Sequence, residues 1–206
     1  MFEVRDLAVR PDLRGVTLRL YRGDVAVVHG PGASSVVRAA AGIVRPTTGV
    51  VRLHGDELTG LSPQAVAALG VAYVGPAAVP YPDLTVVENL VVGAASGAPH
   101  GREERADAVL AALPRLRRVL RTGGAGLDGV DAAVLTVGVA LARRPRLLLL
   151  DGLAERVGEA YDEVRAALRI AAADEVVSLV AEPVAPADVA EYDASFELVR
   201  GWVRPS

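Results

Sequence analysis

The sequence predicts an α/β fold in which a small N-terminal antiparallel β-subdomain precedes a parallel-sheet core with a helical insertion. Two early runs, 2–10 and 15–20, alternate apolar and polar residues, as half-buried antiparallel strands do. Later runs such as 146–152, in which four leucines stand in succession, are typical of strands covered on both faces. Between these two kinds of strand, the stretch 84–122 has apolar residues at helical spacings.

The first part of the chain is predicted to consist mainly of strands. After the two alternating runs, a third strand starts at Asp24 and leads into a helix. That helix is expected to begin after Ser34 and to end near Gly42, a typical C-cap residue. Two more strands are expected at 48–60, which contains a Gly-Asp turn, and at 70–76.

The middle of the chain is predicted to be helical. Four apolar residues of the stretch 84–122 recur at helical spacings: Val109, Leu113, Leu116 and Leu120. Pro114 interrupts this pattern and is expected to start, kink or divide a helix. A flexible glycine-rich loop at 123–129 then precedes a buried helix that runs through Leu141.

The last part of the chain is predicted to supply inner strands of the sheet. The runs 146–152 and 175–182 are predicted to be such strands because apolar residues dominate each of them, and a helix is predicted at 161–172 between them. The tail 195–206 is predicted to form a closing hairpin that turns at Arg200-Gly201.

Length, charge and composition exclude several classes of protein. The 206 residues suit one domain, 1–206, with an approximate helical subdomain at 84–135. A formal net charge of -3 gives no electrostatic reason to bind nucleic acid or an anionic membrane. The longest apolar run, 132–142, is shorter than the roughly 20 residues that span a bilayer, and we expect no signal peptide. We therefore expect a soluble, cytoplasmic protein, in agreement with the absence of cysteine from the sequence.

Residues 27–34 have the outline of a phosphate-binding loop that lacks its lysine. Such a loop reads G-x-x-x-x-G-K-[ST]: its backbone N–H groups hold phosphates, its lysine contacts them, and its hydroxyl binds Mg²⁺. The four fixed positions fall here on Val27, Gly32, Ala33 and Ser34. All 22 basic residues are arginine, so no lysine from elsewhere in the chain can replace the missing one.

The candidate phosphate-binding residues are therefore Gly30, Gly32, Ala33, Ser34 and Ser35. A helix N-terminus still attracts anions without a lysine. The lost charge-assisted contact is expected to weaken triphosphate binding by about 1.5–3 kcal/mol. The alternative interpretation is a plain strand-to-helix turn with no phosphate site.

Asp151 ends the apolar run 146–151 and is, with Ser34, the candidate Mg²⁺ ligand. In phosphate-loop enzymes, an aspartate at the end of a strand and the hydroxyl of the loop hold the metal together. Alternatively, Asp151 caps the turn that follows the strand.

Three sequence segments resemble segments that a known family carries in the same order. They are 38–60, 81–90 ("YPDLTVVENL") and 139–151 ("VALARRPRLLLLD"). Together with the order of elements, they resemble the nucleotide-binding subunit of ATP-binding cassette (ABC) transporters. The likeness is greatest to the branched-chain amino-acid importer type and covers essentially the whole chain, although the family's usual subunit is somewhat longer. The resemblance implies a P-loop NTPase-like ABC ATPase fold, with ATP and Mg²⁺ as cofactors.

The resemblance also implies four further ATP-contacting positions, and the family's residue is replaced at each. The glutamate that polarises the attacking water corresponds to Gly152, and the glutamine or glutamate that senses the metal corresponds to Pro76. The switch-loop histidine corresponds to Glu182, whose carboxylate would repel a γ-phosphate. The aromatic residue that stacks on adenine corresponds to Pro11.

The family's L-S-G-G-x-Q signature, which completes the ATP site of a partner subunit, corresponds to 127–133. Its serine position is Asp128, which would bring negative charge towards the partner's γ-phosphate. Its second glycine position is Val130, which would block close approach of the backbone. The resemblance therefore implies that this chain cannot assist hydrolysis in a partner.

Three functions follow from these observations. The favoured one is a catalytically degenerate ABC subunit, a structural or regulatory partner of a membrane subunit and a second ABC subunit at the inner face of the cell membrane. A second is a protein that binds nucleotide without turnover through the loop residues and Asp151. The third is an active ATPase with rewired residues. That function needs a replacement cation, and Arg38 is expected to face away from the phosphates.

Overall fold

Two sheets organise the residues that the computed structural model describes, which are 1–95, 101–187 and 189–204. The strands of these described residues are β1 (Phe2–Val9), β2 (Leu13–Leu20), β3 (Val25–His29), β4 (Thr48–Leu53), β5 (Asp56–Glu57), β6 (Val71–Val74), β7 (Leu147–Asp151), β8 (Val177–Glu182), β9 (Ala194–Val199) and β10 (Trp202–Val203). The α-helices are α1 (Ala33–Ala40), α2 (Pro63–Ala68), α3 (Val86–Ala95), α4 (Arg102–Ala112), α5 (Gly129–Ala142), α6 (Leu153–Val157) and α7 (Tyr161–Ala173).

The smaller sheet is antiparallel and has the strand order β2-β1-β4-β5. The larger sheet has the order β10-β9-β3-β8-β7-β6, and all its neighbouring strands are parallel except the β9–β10 hairpin. The predicted antiparallel subdomain, parallel core and closing hairpin are thus confirmed.

The continuous apolar strands are buried on both faces, as their pattern predicts. In β3, Val25 and Val27 face the core formed with α3, α4, α5 and α7. The alternate residues Ala26 and Val28 face a second core, formed with α1 and the antiparallel sheet. Because successive side chains of a strand point to opposite faces, this one apolar run packs against both cores and holds β3 between them.

The helical stretch between the two kinds of strand is divided as predicted. Helix α4 ends at Ala112, and Pro114 starts a 3-10 turn that runs to Val119. The helix that was predicted to begin after Ser34 begins before it, at Ala33. No described helix is long and apolar enough to cross a membrane.

Candidate functional site

Strand β3 extends into the segment where the phosphate loop was predicted to begin. Val27 lies in the middle of the strand and pairs with Val180 of β8 and Ser195 of β9. The strand continues to His29, so only three residues, Gly30 to Gly32, connect it to α1. Because β3 has a neighbour on each side, the backbone of residues 27–29 is used in sheet pairing.

The three-residue connection is closed by its own hydrogen bonds. The backbone N–H of Gly30 donates to the carbonyl oxygen of Glu182 at 3.0 Å. The N–H groups of Ala33 and Ser35 donate back to Gly30 and Gly32, at 3.1 and 2.9 Å. The Ala33 side chain is 2% exposed and belongs to the core beneath α1. The described geometry is therefore that of a short strand-to-helix turn.

The two candidate Mg²⁺ ligands do meet at the carboxyl end of the large sheet. The Ser34 hydroxyl donates to Oδ1 of Asp151 at 2.6 Å. The other carboxylate oxygen, Oδ2, accepts from Arg38 Nε and from the Tyr73 hydroxyl, both at 2.8 Å. We call these four residues the aspartate cluster. Asp151 is 2% exposed, so its charge is balanced inside the protein by Arg38 rather than by solvent.

The expectation that Arg38 faces away from this site is wrong. Arg38 lies four residues after Ser34, and residues i and i+4 of a helix share a face. The guanidinium therefore reaches the same carboxylate that Ser34 contacts. Tyr73 was not predicted either; it enters the aspartate cluster because β6 pairs with β7.

The aspartate cluster does not fit a magnesium ion as it stands. Both oxygens of Asp151 already accept hydrogen bonds, and a guanidinium lies 2.8 Å from one of them. A divalent cation bound there would have to displace that contact and then face the displaced positive charge. Within the described ranges, no group of three or more His, Asp or Glu side chains is placed to hold a metal ion.

The position of the missing catalytic glutamate is occupied by a glycine with a left-handed backbone. Gly152 has φ 66° and ψ 48° and stands at the N-cap of α6. Instead, Glu182 supplies a carboxylate at this helix, where its Oε1 accepts from the backbone N–H of Ala154 at 2.8 Å. Burial raises the pKa of Glu182, while the helix N–H groups act in the opposite direction. Glu182 thus caps α6.

The remaining family positions also have structural roles or lie at the surface. Pro76 is exposed, and the turn that contains it is tied to α6, since Arg156 donates to the carbonyl oxygens of Gly75 and Ala78 at 2.9 and 2.6 Å. In the signature position, the Asp128 side chain accepts from the Asp131 N–H at 2.7 Å and caps α5.

The two described histidines, His29 and His54, do not belong to a metal-ligand group. His29 is buried at the end of β3, and its Nε2 lies 3.2 Å from the Ser195 hydroxyl. His54 contacts Arg146 on the far side of the molecule. His100 lies outside the described residues.

Solved structures of ATP-binding cassettes share this fold. The chain aligns over its whole length with a nucleotide-free cassette of an ABC transporter, with a TM-score of 0.80, 18% identity and 90% of that chain covered. It aligns equally fully with a dimeric cassette in a post-hydrolysis state with ADP and Pi, with a TM-score of 0.81, 19% identity and 97% coverage.

Sequence relatives agree with the fold. A probable branched-chain amino acid transport ATP-binding protein LivF of Archaeoglobus fulgidus is 30% identical over 136 residues, which are 66% of this chain and 58% of that protein. A high-affinity branched-chain amino acid transport ATP-binding protein BraG of Pseudomonas aeruginosa is 28% identical over 142 residues, 68% of this chain and 61% of that protein. The matched part thus spans about three-fifths of each relative. Residues 13–154 match the family described as ABC transporter, and the chain belongs to that family.

Proposed function

We propose that this chain is a catalytically degenerate ABC subunit that serves a membrane transport complex as a structural or regulatory partner. The observation that carries the proposal is the Arg38 guanidinium on Asp151, because it supplies within the chain the positive charge that Mg²⁺ supplies in phosphate-loop enzymes. The extension of β3 and the glycine at position 152 support it, since each removes a different part of an ATP site.

The segment 81–90, which in this family begins the part that faces the membrane subunit, is built as a rigid unit. The side chain of Asn89 is fully buried, and it accepts from the Tyr81 N–H and donates to the carbonyl oxygens of Tyr81, Leu84 and Thr85. Glu88 and Thr85 form a capping box at the start of α3. An ordered segment of this kind suits a docking role that does not depend on nucleotide.

Apolar side chains are exposed beside this segment. Val79 is 78% exposed and Tyr81 is 54% exposed, and Val87 of α3 is partly exposed as well. We propose that these three residues contact a membrane subunit and that a second ABC subunit completes the complex. The names of the relatives suggest branched-chain amino acid import as the process, with this chain on the cytoplasmic side.

A second candidate function is nucleotide binding without turnover. The observation that favours it is the N-terminus of α1, where Gly32 is the N-cap residue and Ser34 lies in the first turn. In this function, a phosphate would sit at the helix N-terminus without a metal ion.

Calorimetric titration of the chain with ATP and ADP, with and without Mg²⁺, separates the two functions. The degenerate subunit is expected to bind neither nucleotide up to about 1 mM, which corresponds to about 4 kcal/mol of binding free energy. Micromolar binding that Ser34→Ala weakens would favour the second candidate. Steady ATP turnover that Asp151→Asn abolishes would overturn both.

Docking is tested by affinity capture from the membranes of the source cells, followed by identification of the bound proteins. Val79→Asp is expected to abolish capture of the membrane subunit, because it places a charge in the proposed apolar contact. The matched control is Ile43→Asp, since Ile43 is also an exposed apolar residue, at 47%, and lies outside the docking segment. If the wild-type chain captures no transporter membrane subunit, the proposed docking role is wrong.

A further inference from the structure

A cavity at the other end of the parallel strands takes no part in the aspartate cluster. Its volume is about 550 Å³, within the range of roughly 300–1,000 Å³ that small-molecule sites occupy. Arg146 and Val176 line it just before β7 and β8 begin, whereas Asp151 stands where β7 ends. Residues of both α4 and α7 line the cavity, so it lies where the helical insertion meets the core of the domain.

One wall of the cavity is apolar. Helix α4 contributes Val109 and Ala112, and α7 contributes Ala167 and Ala171. At the rim, the Ile170 side chain is 59% exposed. Small alanine side chains on facing helices leave the space that a bound apolar group would fill.

The lining also carries an excess of positive charge. Four arginines and two acidic residues line the cavity, an excess of two positive charges: Arg22, Arg105, Arg144, Arg146, Asp174 and Glu175. Arg22 pairs with Glu175 at 2.7 Å, and Arg146 approaches Asp56 at 3.7 Å.

Arg144 differs from these paired arginines. In the part of the chain that the structure describes, it has no acidic partner, and its side chain is exposed at the cavity. Burial, followed by the charges of the N-terminus, Arg146 and Arg22, lowers the pKa of His54. An uncompensated guanidinium thus stands beside an apolar wall, in a cavity whose lining has more arginines than acidic residues.

We propose that this cavity binds a small amphiphilic carboxylate, with the acid group on Arg144 and the apolar body between α4 and α7. Arg144 supplies the charge complement that a carboxylate needs, and the alanine-lined wall supplies the space for an alkyl or similar body. A ligand in this position contacts both helices and holds the helical insertion against the core. The inference is independent of the proposed function, because no residue of the aspartate cluster lines the cavity.

Calorimetry on the full chain with sodium decanoate below its micelle concentration tests this site. Decan-1-ol, which has the same chain without the charge, and sodium sulfate, which has charge without the chain, are the comparison ligands. One molecule of decanoate is expected to bind per chain, at least about tenfold more tightly than decanol, as a charge-assisted hydrogen bond implies. Binding of decanol as tight as that of decanoate, or no decanoate binding up to 1 mM, would overturn the proposal.

Matched variants locate the binding site. Arg144→Gln is expected to weaken decanoate binding at least about tenfold, whereas Arg143→Gln changes the neighbouring exposed arginine, which does not line the cavity, and should have little effect. Ala108→Phe fills the cavity from an exposed position of α4, while Ala111→Phe on the same helix does not face it. If both phenylalanine variants keep wild-type circular dichroism and bind decanoate equally well, the ligand lies elsewhere and the assignment is wrong.

Discussion

The ion pair between Arg38 and Asp151 is predicted to stabilise the folded chain in the absence of any ligand. The Arg38 side chain is 40% exposed and that of Asp151 is 1% exposed, and the contact is 2.8 Å long. A charge-assisted hydrogen bond contributes about 1.5–3 kcal/mol. Because solvent screens the partly exposed guanidinium, we expect a coupling free energy of about 1–2 kcal/mol.

The assay is a double-mutant cycle of Arg38→Gln and Asp151→Asn, measured by urea unfolding. The Arg38→Gln variant is expected to lose more stability than Asp151→Asn. It leaves a buried carboxylate with two neutral donors, the hydroxyls of Ser34 and Tyr73, whereas Asp151→Asn leaves an arginine that solvent can reach.

A surface ion pair of similar length serves as the control. Arg22 and Glu175 approach to 2.7 Å, but their side chains are 59% and 63% exposed. Their coupling free energy is expected to lie below about 0.5 kcal/mol. If the Arg38–Asp151 pair couples no more strongly than this control pair, then Arg38 does not neutralise the buried carboxylate, and the main support for the degenerate function is lost.

Three further predictions concern single side chains. Burial raises the pKa of Glu182 above 4.5, so the folded state binds this proton more tightly than the unfolded state, and stability falls as the pH rises from 4.5 through the folded pKa. Glu182→Gln should therefore show a smaller change in unfolding free energy between pH 4.5 and 7; an unchanged pH dependence would contradict this. Burial and the hydrogen bond to Asp151 raise the pKa of Tyr73 to about 12. Tyr73→Phe should remove this late step from an ultraviolet titration and cost about 1 kcal/mol in urea unfolding. Finally, a Cβ at Gly15 would lie 2.4 Å from the ring of Trp202, the sole tryptophan, so Gly15→Ala should change its fluorescence; an identical spectrum would refute the contact.

The strands of the larger sheet could be predicted because burial on both faces gives them a recognisable run of apolar residues. Continuous apolar runs such as 147–150 are found only where both faces of a strand are covered, and they lie in the core as expected. Helix α2 was missed although it carries a signal, the N-cap Ser62 followed by Pro63 in the first turn. Helix α6 has five residues and begins after a left-handed glycine, so no periodic pattern reveals it.

The aspartate cluster was only half predictable. Ser34 and Asp151 could be paired because each follows a strand of a parallel sheet, and the ends of such strands meet at one edge. The place of Tyr73 depends on which strand lies beside β7, and a sequence pattern does not give the order of strands. The contact with Arg38 was within reach, since the spacing of four residues from Ser34 places both side chains on one face of α1.

Under the proposed degenerate function, the positions at which this chain differs from the ABC family's ATP-site residues depend on one another. Each family group at these positions acts on ATP only when the other groups are present. A lysine at position 33 has a phosphate to contact only if the loop before it can wrap around one, and here β3 continues to His29. A glutamate at position 152 has a water to activate only if a phosphate is bound beside it, and it would also occupy a left-handed backbone that disfavours it. Asp151, which survives, needs a positive partner whether or not nucleotide binds, because it is buried. In the structure Arg38 provides that partner. Under the proposed degenerate function, we therefore expect the chain to fold without a ligand, and we expect that restoring any one of the altered residues alone does not restore ATP binding.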